Sequence, residues 1–210
     1  MSGVTARLLA GLLVLPGLAP AQVVGARGLI AGMRTTTATA AADLRLSGSA
    51  FGFEGGVALG PAALTLRYLE GSVRNDSAAI DRDFAEGDVT LWARPFRWAA
   101  LGAGPHVRSF VATGSTERWL FWEVRARATA GLWPRAVDAY LEGWAAVSGD
   151  VDVPDAFNSG RGLEGGLEVA VGRLPVSVRL RYRAERIGLG DGARRETTEH
   201  VMLGVGIGRL

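Results

Sequence analysis

Apolar and polar residues alternate with a period of two through most of the chain, a pattern that selects strands over helices. Val176, Val178, Leu180 and Tyr182 interleave with Ser177, Arg179, Arg181 and Arg183. Leu120, Trp122, Val124, Ala126 and Ala128 interleave in the same way with Phe121, Glu123, Arg125, Arg127 and Thr129. Leu163, Leu167, Val169 and Val171 alternate against Glu164 and Glu168. Ten such segments are predicted, near 23–34, 45–58, 62–71, 85–94, 99–111, 119–132, 136–147, 162–172, 176–187 and 198–209.

The segments between them differ in kind. Tight turns marked by proline fall at Gly60-Pro61, Pro95-Phe96-Arg97, Pro134-Arg135 and Arg173-Leu174-Pro175, where the ring presets φ and ends the ladder. Longer polar stretches, 35–43, 72–84, 112–118, 148–160 and 190–198, alternate with these turns and are expected to be long loops. Strict alternation with an even strand number puts both termini and all tight turns at one end, and all long loops at the other. That is the layout of an antiparallel, up-and-down transmembrane β-barrel. The strands are long enough, since a tilted crossing takes about 9 to 11 residues.

The N-terminus carries a targeting pattern. Arg7 precedes a short apolar run, residues 8–18, and Ala19-Pro20-Ala21 offers small residues at the two positions a signal peptidase reads. Residues 1–21 are therefore expected to be a signal peptide, and residues 22–210 a single barrel domain. The apolar run is about half the roughly 20 residues that a membrane helix needs, and Pro16 interrupts it. No cysteine occurs, which excludes disulfides, thiolate metal sites, a cysteine nucleophile and a lipid-modified N-terminus. The 23 basic residues, all arginine, against 21 acidic ones leave a net charge of +2, too little to draw nucleic acid.

Which face points inward separates a membrane barrel from a soluble exported barrel with a lipocalin-like ligand cavity. On the polar phase, Arg27, Arg67, Arg94, Arg108, Arg125, Arg127, Arg179, Arg181 and Arg183 are balanced by Glu54, Glu86, Asp88, Glu123, Asp138, Glu142, Glu164, Glu168 and Glu185. A solvated face has no need of such balance. A narrow lumen does, because an unpaired ion away from water costs several kcal/mol even after relaxation. Arginine suits the task, since its planar fork pairs bidentately and stays charged. The other phase is nearly free of charge and rich in alanine and glycine, which would leave voids in a soluble core but not against lipid. Trp92, Phe110, Tyr140 and Trp144 are expected to wedge between the lumenal ions. Phe96, Trp98 and Trp133 near the turns and Trp119 toward the loops are expected to supply aromatic girdles.

On these features the chain resembles the small outer-membrane β-barrel proteins of Gram-negative bacteria, over residues 22–210 and by architecture. The resemblance implies outer-membrane lipid and the barrel-insertion machinery as partners, with an extracellular ligand on the loops as a further one. Such barrels commonly have eight strands, which is the alternative count. The family's last strand usually ends in an outward aromatic residue, whereas here Val201, Leu203, Val205 and Ile207 set the phase and the chain ends Arg209-Leu210.

Sites of chemistry are scarce. His106 and Ser109 invite a nucleophile reading such as lipid A deacylases of this architecture use, but a spacing of three puts them on opposite faces of a strand. His200 beside Glu199, Thr197 and Thr198 reads as a titrating histidine in a polar rim. Asp150, Asp152 and Asp155 are spaced like the start of a calcium loop, without its glycine and with Arg161 at the twelfth position. The expectation is a non-enzymatic, cofactor-free structural or surface-interaction protein whose lumen is plugged by ion pairs. Alternatives are a narrow pore for small solutes and a rim hydrolase.

Overall fold

The computed structural model describes residues 22–76, 80–134, 136–172 and 174–208, so the expected signal peptide and the terminal Arg209-Leu210 lie outside the described residues. Its strands are β1 (Gln22–Thr39), β2 (Asp43–Leu59), β3 (Ala62–Arg74), β4 (Asp81–Phe96), β5 (Ala99–Ala112), β6 (Ser115–Trp133), β7 (Val137–Val151), β8 (Phe157–Ala170), β9 (Val176–Leu189) and β10 (Arg194–Ile207). Each pairs antiparallel with its neighbours in sequence, and β10 closes on β1 from Ala26–Ile207 to Thr39–Arg194. The barrel has ten strands, and the eight-strand alternative falls. Closure leaves no edge strand with unpaired backbone groups, the condition for a sheet to cross hydrocarbon.

One expectation needs correction. The five polar stretches are not long loops, because most of their residues extend the strands. The connections at that end shrink to 40–42, 75–80, 113–114, 152–156 and 190–193, about one residue longer on average than those at the turn end. The cause lies in side chains that the polar composition hides. Val73, Phe84 and Phe157 fall inside these stretches and point into the barrel, so the backbone gains both ladder hydrogen bonds and an apolar interior by continuing as strand.

The alternation also changes phase along the barrel. In the half nearer the turns the outer wall is apolar, as at Ile30, Leu91, Leu101, Leu141 and Leu180, while the inner wall is charged. In the half nearer the loops the outer wall carries Arg34, Ser47, Asp83, Arg118, Arg161 and Arg186. Its inner wall there is apolar: Met33, Leu46, Leu69, Val73, Phe84 and Phe110 form one buried cluster, and Trp119, Phe121, Ile187 and Leu189 another.

Aromatic side chains mark both edges of the apolar belt. Phe96, Trp98 and Trp133 are exposed at the turn end, the first two stacked at 5.6 Å between ring centroids. At the upper edge Trp122 is 53% exposed, and the hydroxyls of Tyr68 and Tyr182 donate to Glu70 and Glu199 at 2.8 and 2.5 Å. Trp119 does not belong to this girdle. It is 1% exposed and packs edge-on to Phe110 and Phe121, because it shares their phase and not that of Trp122. Trp122 and Trp133 are eleven residues apart on β6, which at about 3.3 Å per residue and about 40° of tilt separates them by roughly 28 Å along the axis. An apolar band of about 25 Å fits between them.

Close approach of β2 and β3 depends on glycine. A Cβ on Gly52 would sit 1.9 Å from the Tyr68 carbonyl oxygen, whereas one on Gly32 would meet nothing within 4 Å. Gly52→Ala is therefore expected to destabilise the barrel by about 1 to 3 kcal/mol through overpacking, and Gly32→Ala to leave it unchanged. Urea midpoints of the two variants refolded into lipid vesicles give the comparison; equal midpoints would contradict the close approach.

Candidate functional site in the barrel interior

The period of two sends the charged residues of the belt region inward, and the register decides which of them meet. Near the turn end Glu54 of β2 accepts hydrogen bonds from Arg27 at 2.9 Å, Arg179 at 2.8 Å and Arg181 at 2.6 Å, three arginines from two strands. Glu168 is held by Arg27 at 2.9 Å and by Nε of Arg179 at 3.0 Å. Further along, Arg67 bridges Asp88 at 2.8 Å and Glu164 at 3.0 Å, and the Tyr140 hydroxyl donates to Glu164 at 2.7 Å. Glu142 is shared by Arg125 at 3.0 Å and Arg127 at 2.6 Å.

The last group lies under the apolar layer. Arg125 reaches Glu123, whose other oxygen contacts His106 Nδ1 at 2.7 Å. Glu86 joins Arg108 at 2.7 Å and Arg183 at 2.9 Å, and Glu185 joins the same two arginines at 3.2 and 2.9 Å. Arg181 and Glu164, 3.5 Å apart, Arg125 and Asp88, 3.9 Å apart, and His106 Nε2 and Glu86, 3.6 Å apart, connect the groups into one continuous network. Aromatic faces fill between the ions. The Arg183 guanidinium lies 4.5 Å from the Trp144 ring and that of Arg127 4.5 Å from Trp92, a geometry in which cation–π attraction adds to packing.

The residues singled out from the sequence are not all placed alike. Arg67, Arg108, Arg125, Arg179, Arg181, Arg183, Glu123, Glu142, Glu164, Glu168 and Glu185 are buried in the network, with Arg127 half-buried at its turn-end margin. Arg94 is half-buried near the turns and makes no ion pair among the described residues. Asp138 is half-buried on β7, in register with Glu168 and Gly131. Arg27, Glu54, Glu86 and Asp88 complete the network. A second, smaller group at the loop mouth carries Arg194, Glu196, Glu117 and Arg82, where Glu196 accepts from Arg194 at 2.8 Å and from the Thr37 hydroxyl at 2.7 Å. Burial pushes the Glu196 carboxyl above its ordinary range despite these donors.

An interior filled in this way has little free volume. A cavity of about 20 Å3 remains among Glu54, Arg67, Asp88, Arg125, Glu142 and Arg181, room for about one water molecule. Above the network lie the two apolar clusters, with Thr35, Thr198 and His200 buried beside them. His200 is not in a polar rim as expected. It is 1% exposed inside this layer, 6.0 Å from the Phe84 ring, and neither ring nitrogen has a partner among the described residues. Glu199 points to the other face, as the alternation requires.

No hydrolytic arrangement emerges from the expected residues. Ser109 lies on the outer face of β5 and His106 on the inner one. His106, Glu123 and Glu185 bring ligand atoms within 4.8 Å of one another, the one such group among the described residues, but Arg108, Arg125 and Arg183 already neutralise its carboxylates. Asp150, Asp152 and Asp155 form no such group.

No family model and no curated protein matches the chain. Solved structures similar to it in fold include an outer membrane channel from Pseudomonas putida F1, at 12% identity over 93% of this chain and 100% of that one, with a TM-score of 0.46. The translocator domain of the autotransporter NalP from Neisseria meningitidis is similar at 12% identity over 90% of this chain and 88% of its own, with a TM-score of 0.45. Neisserial surface protein A is similar at 12% identity, over 90% and 99%, with a TM-score of 0.41. These are likenesses of overall fold and carry nothing about what this chain binds or does.

Proposed function

We propose that the protein is an outer-membrane barrel with a structural and surface-interaction role, closed to solutes and without catalytic activity of its own. The observation that carries this reading is the double closure of the bore. A continuous arginine–carboxylate network fills the belt region, and an apolar layer of Phe84, Phe110, Trp119 and Phe121 lies above it. The apolar belt between two aromatic edges supports placement in a bilayer. Fully apolar strand faces of the C-terminal β10, Val201, Leu203, Val205 and Ile207, support delivery to the insertion machinery. The soluble, lipocalin-like alternative requires the apolar stripe to form the core of the belt region, and that stripe is on the outside.

Conduction distinguishes this reading from a narrow pore. Purified protein added to planar bilayers is expected to produce no single-channel openings, because a permeating ion would have to displace paired side chains and then cross an apolar layer. Reproducible unit openings across many insertions would overturn the closed reading and restore the pore. Membrane assembly has its own readout: unboiled protein from outer membranes should migrate differently from boiled protein on a denaturing gel. Unshifted protein in the soluble periplasmic fraction would count against the membrane placement.

A further inference from the structure

Most outward arginines above the belt stand opposite a neutral or acidic residue. Arg34 faces Glu199 across β1 and β10, and Arg74 faces Asp81 across β3 and β4. Arg161 of β8 and Arg186 of β9 break the pattern: they are in direct register with each other, both exposed on the outer wall. Like charges directly opposite across a ladder destabilise it. Neither has an ion pair among the described residues. Thr197 of β10 continues the row beside Arg186, and Arg195, two residues away, adds a third outward cation. Glu199, the acid on the same part of β10, is engaged by the Tyr182 hydroxyl and stands opposite Arg34.

Beneath the arginines the wall is hollowed. A groove of about 510 Å3 runs over Gly143, Leu163 and Ala184, lined also by Arg161, Arg186 and Thr197 and by the inward Trp144 and Glu185, the latter held by Arg108 and Arg183, a volume within the roughly 300 to 1,000 Å3 of small-molecule sites. It adjoins the point where pairing of β7 with β8 stops, at Ala145 and Arg161. On β9 Arg186 lies beyond Tyr182, one row above the pair of Ala184 with Glu199, so the groove leads from arginines at the headgroup level down toward the upper edge of the apolar belt.

We propose that this face binds one membrane lipid carrying a phosphomonoester headgroup, with the phosphate between Arg161 and Arg186 and an acyl chain in the groove. A phosphomonoester carries a charge of about −1.5 to −2 at pH 7, the complement of two opposed cations, and its oxygens accept from both guanidinium forks. A neutral or singly charged headgroup would leave the repulsion in part uncompensated. The inference rests on the membrane placement proposed above.

The test uses the full chain refolded into phosphatidylcholine vesicles with and without dimyristoyl phosphatidic acid, extracted in mild detergent, with retained lipid read by native mass spectrometry. Phosphatidic acid should be retained in preference to phosphatidylcholine. The double variant R161Q/R186Q should lose at least about tenfold of that preference, the scale of one lost charge-assisted contact, whereas Arg118→Gln on β6 should keep it. Ala184→Phe, which fills the groove without touching the arginines, should also lower retention. Folding of every variant is checked by the boiling shift. Equal retention of both lipids by inserted wild-type protein, or unchanged retention by the double variant, would overturn the site while leaving the membrane placement intact. Displacement of the lipid by inorganic phosphate alone would overturn the lipid as ligand. Protein that enters neither kind of vesicle would overturn the membrane placement and the site with it.

Discussion

Glu54→Ala is expected to cost the folded barrel about 3 to 5 kcal/mol, the range for removing one partner of a buried ion pair. Glu54 accepts from three arginines, and their losses are unequal. Arg27 and Arg179 retain Glu168, but Arg181 keeps only Glu164 at 3.5 Å, and two of its nitrogens already lack hydrogen-bond partners. A cation stranded among Arg27, Arg179 and Arg67 has only the small cavity beside it, room for about one water, to turn to, and that desolvation dominates the cost. Glu117→Ala is the contrast. Its partners Arg82 and Arg194 are 3.5 and 3.3 Å away at the loop mouth, all three side chains are partly exposed, and the loss should stay within about 1 kcal/mol. Urea titration of the two variants in vesicles, followed by tryptophan fluorescence, measures both. A Glu54→Ala midpoint no lower than that of Glu117→Ala would mean that the network is hydrated and not sealed.

Leu180→Arg is expected to cost about 2 to 4 kcal/mol when the barrel is in a bilayer, as for a cation near the midplane of a lipid-facing wall. Leu180 is 51% exposed and lies in register between Leu167 and Leu203, both outward, with no carboxylate beside it. In water such a substitution on an exposed position would be nearly neutral, so the penalty reports the lipid itself. Ser72→Arg, on the outer wall above the belt in register with Ser49 and Asp83, should be silent and controls for general effects of added charge. The fraction of protein showing the boiling shift and the urea midpoint in vesicles provide the readout. If Leu180→Arg assembles as well as Ser72→Arg, the outer wall of the belt does not face hydrocarbon.

The alternation in β9 and β6 was sufficient to place strands and to separate the two faces, since a period of two is a backbone property that every residue reports independently. Trp119 shows how a reading by position along a strand fails where a reading by phase succeeds: it lies near a strand end, but its parity matches Phe121. His200 fails for the same kind of reason, having been read from its polar neighbours Glu199 and Thr198. Glu199 belongs to the other face, and Thr198 shares a buried one. The polar composition of 72–84 sums over both faces of the sheet and hides the inward Val73 and Phe84, which keep that stretch in strands and not in a long loop.

The sequence by itself determined the alternating segments, their order, and an inner stripe whose cations and anions balance, because local alternation and charge type need no knowledge of neighbours, while the closed barrel decided for ten strands over eight. Only the tertiary structure decided which arginine meets which carboxylate, that Arg161 opposes Arg186, and that the barrel changes from charged-inside to apolar-inside along its axis. Those facts depend on register and closure, which bring together residues as far apart as Arg27 and Glu168. No local pattern encodes the stagger at which ten strands meet when the sheet closes on itself.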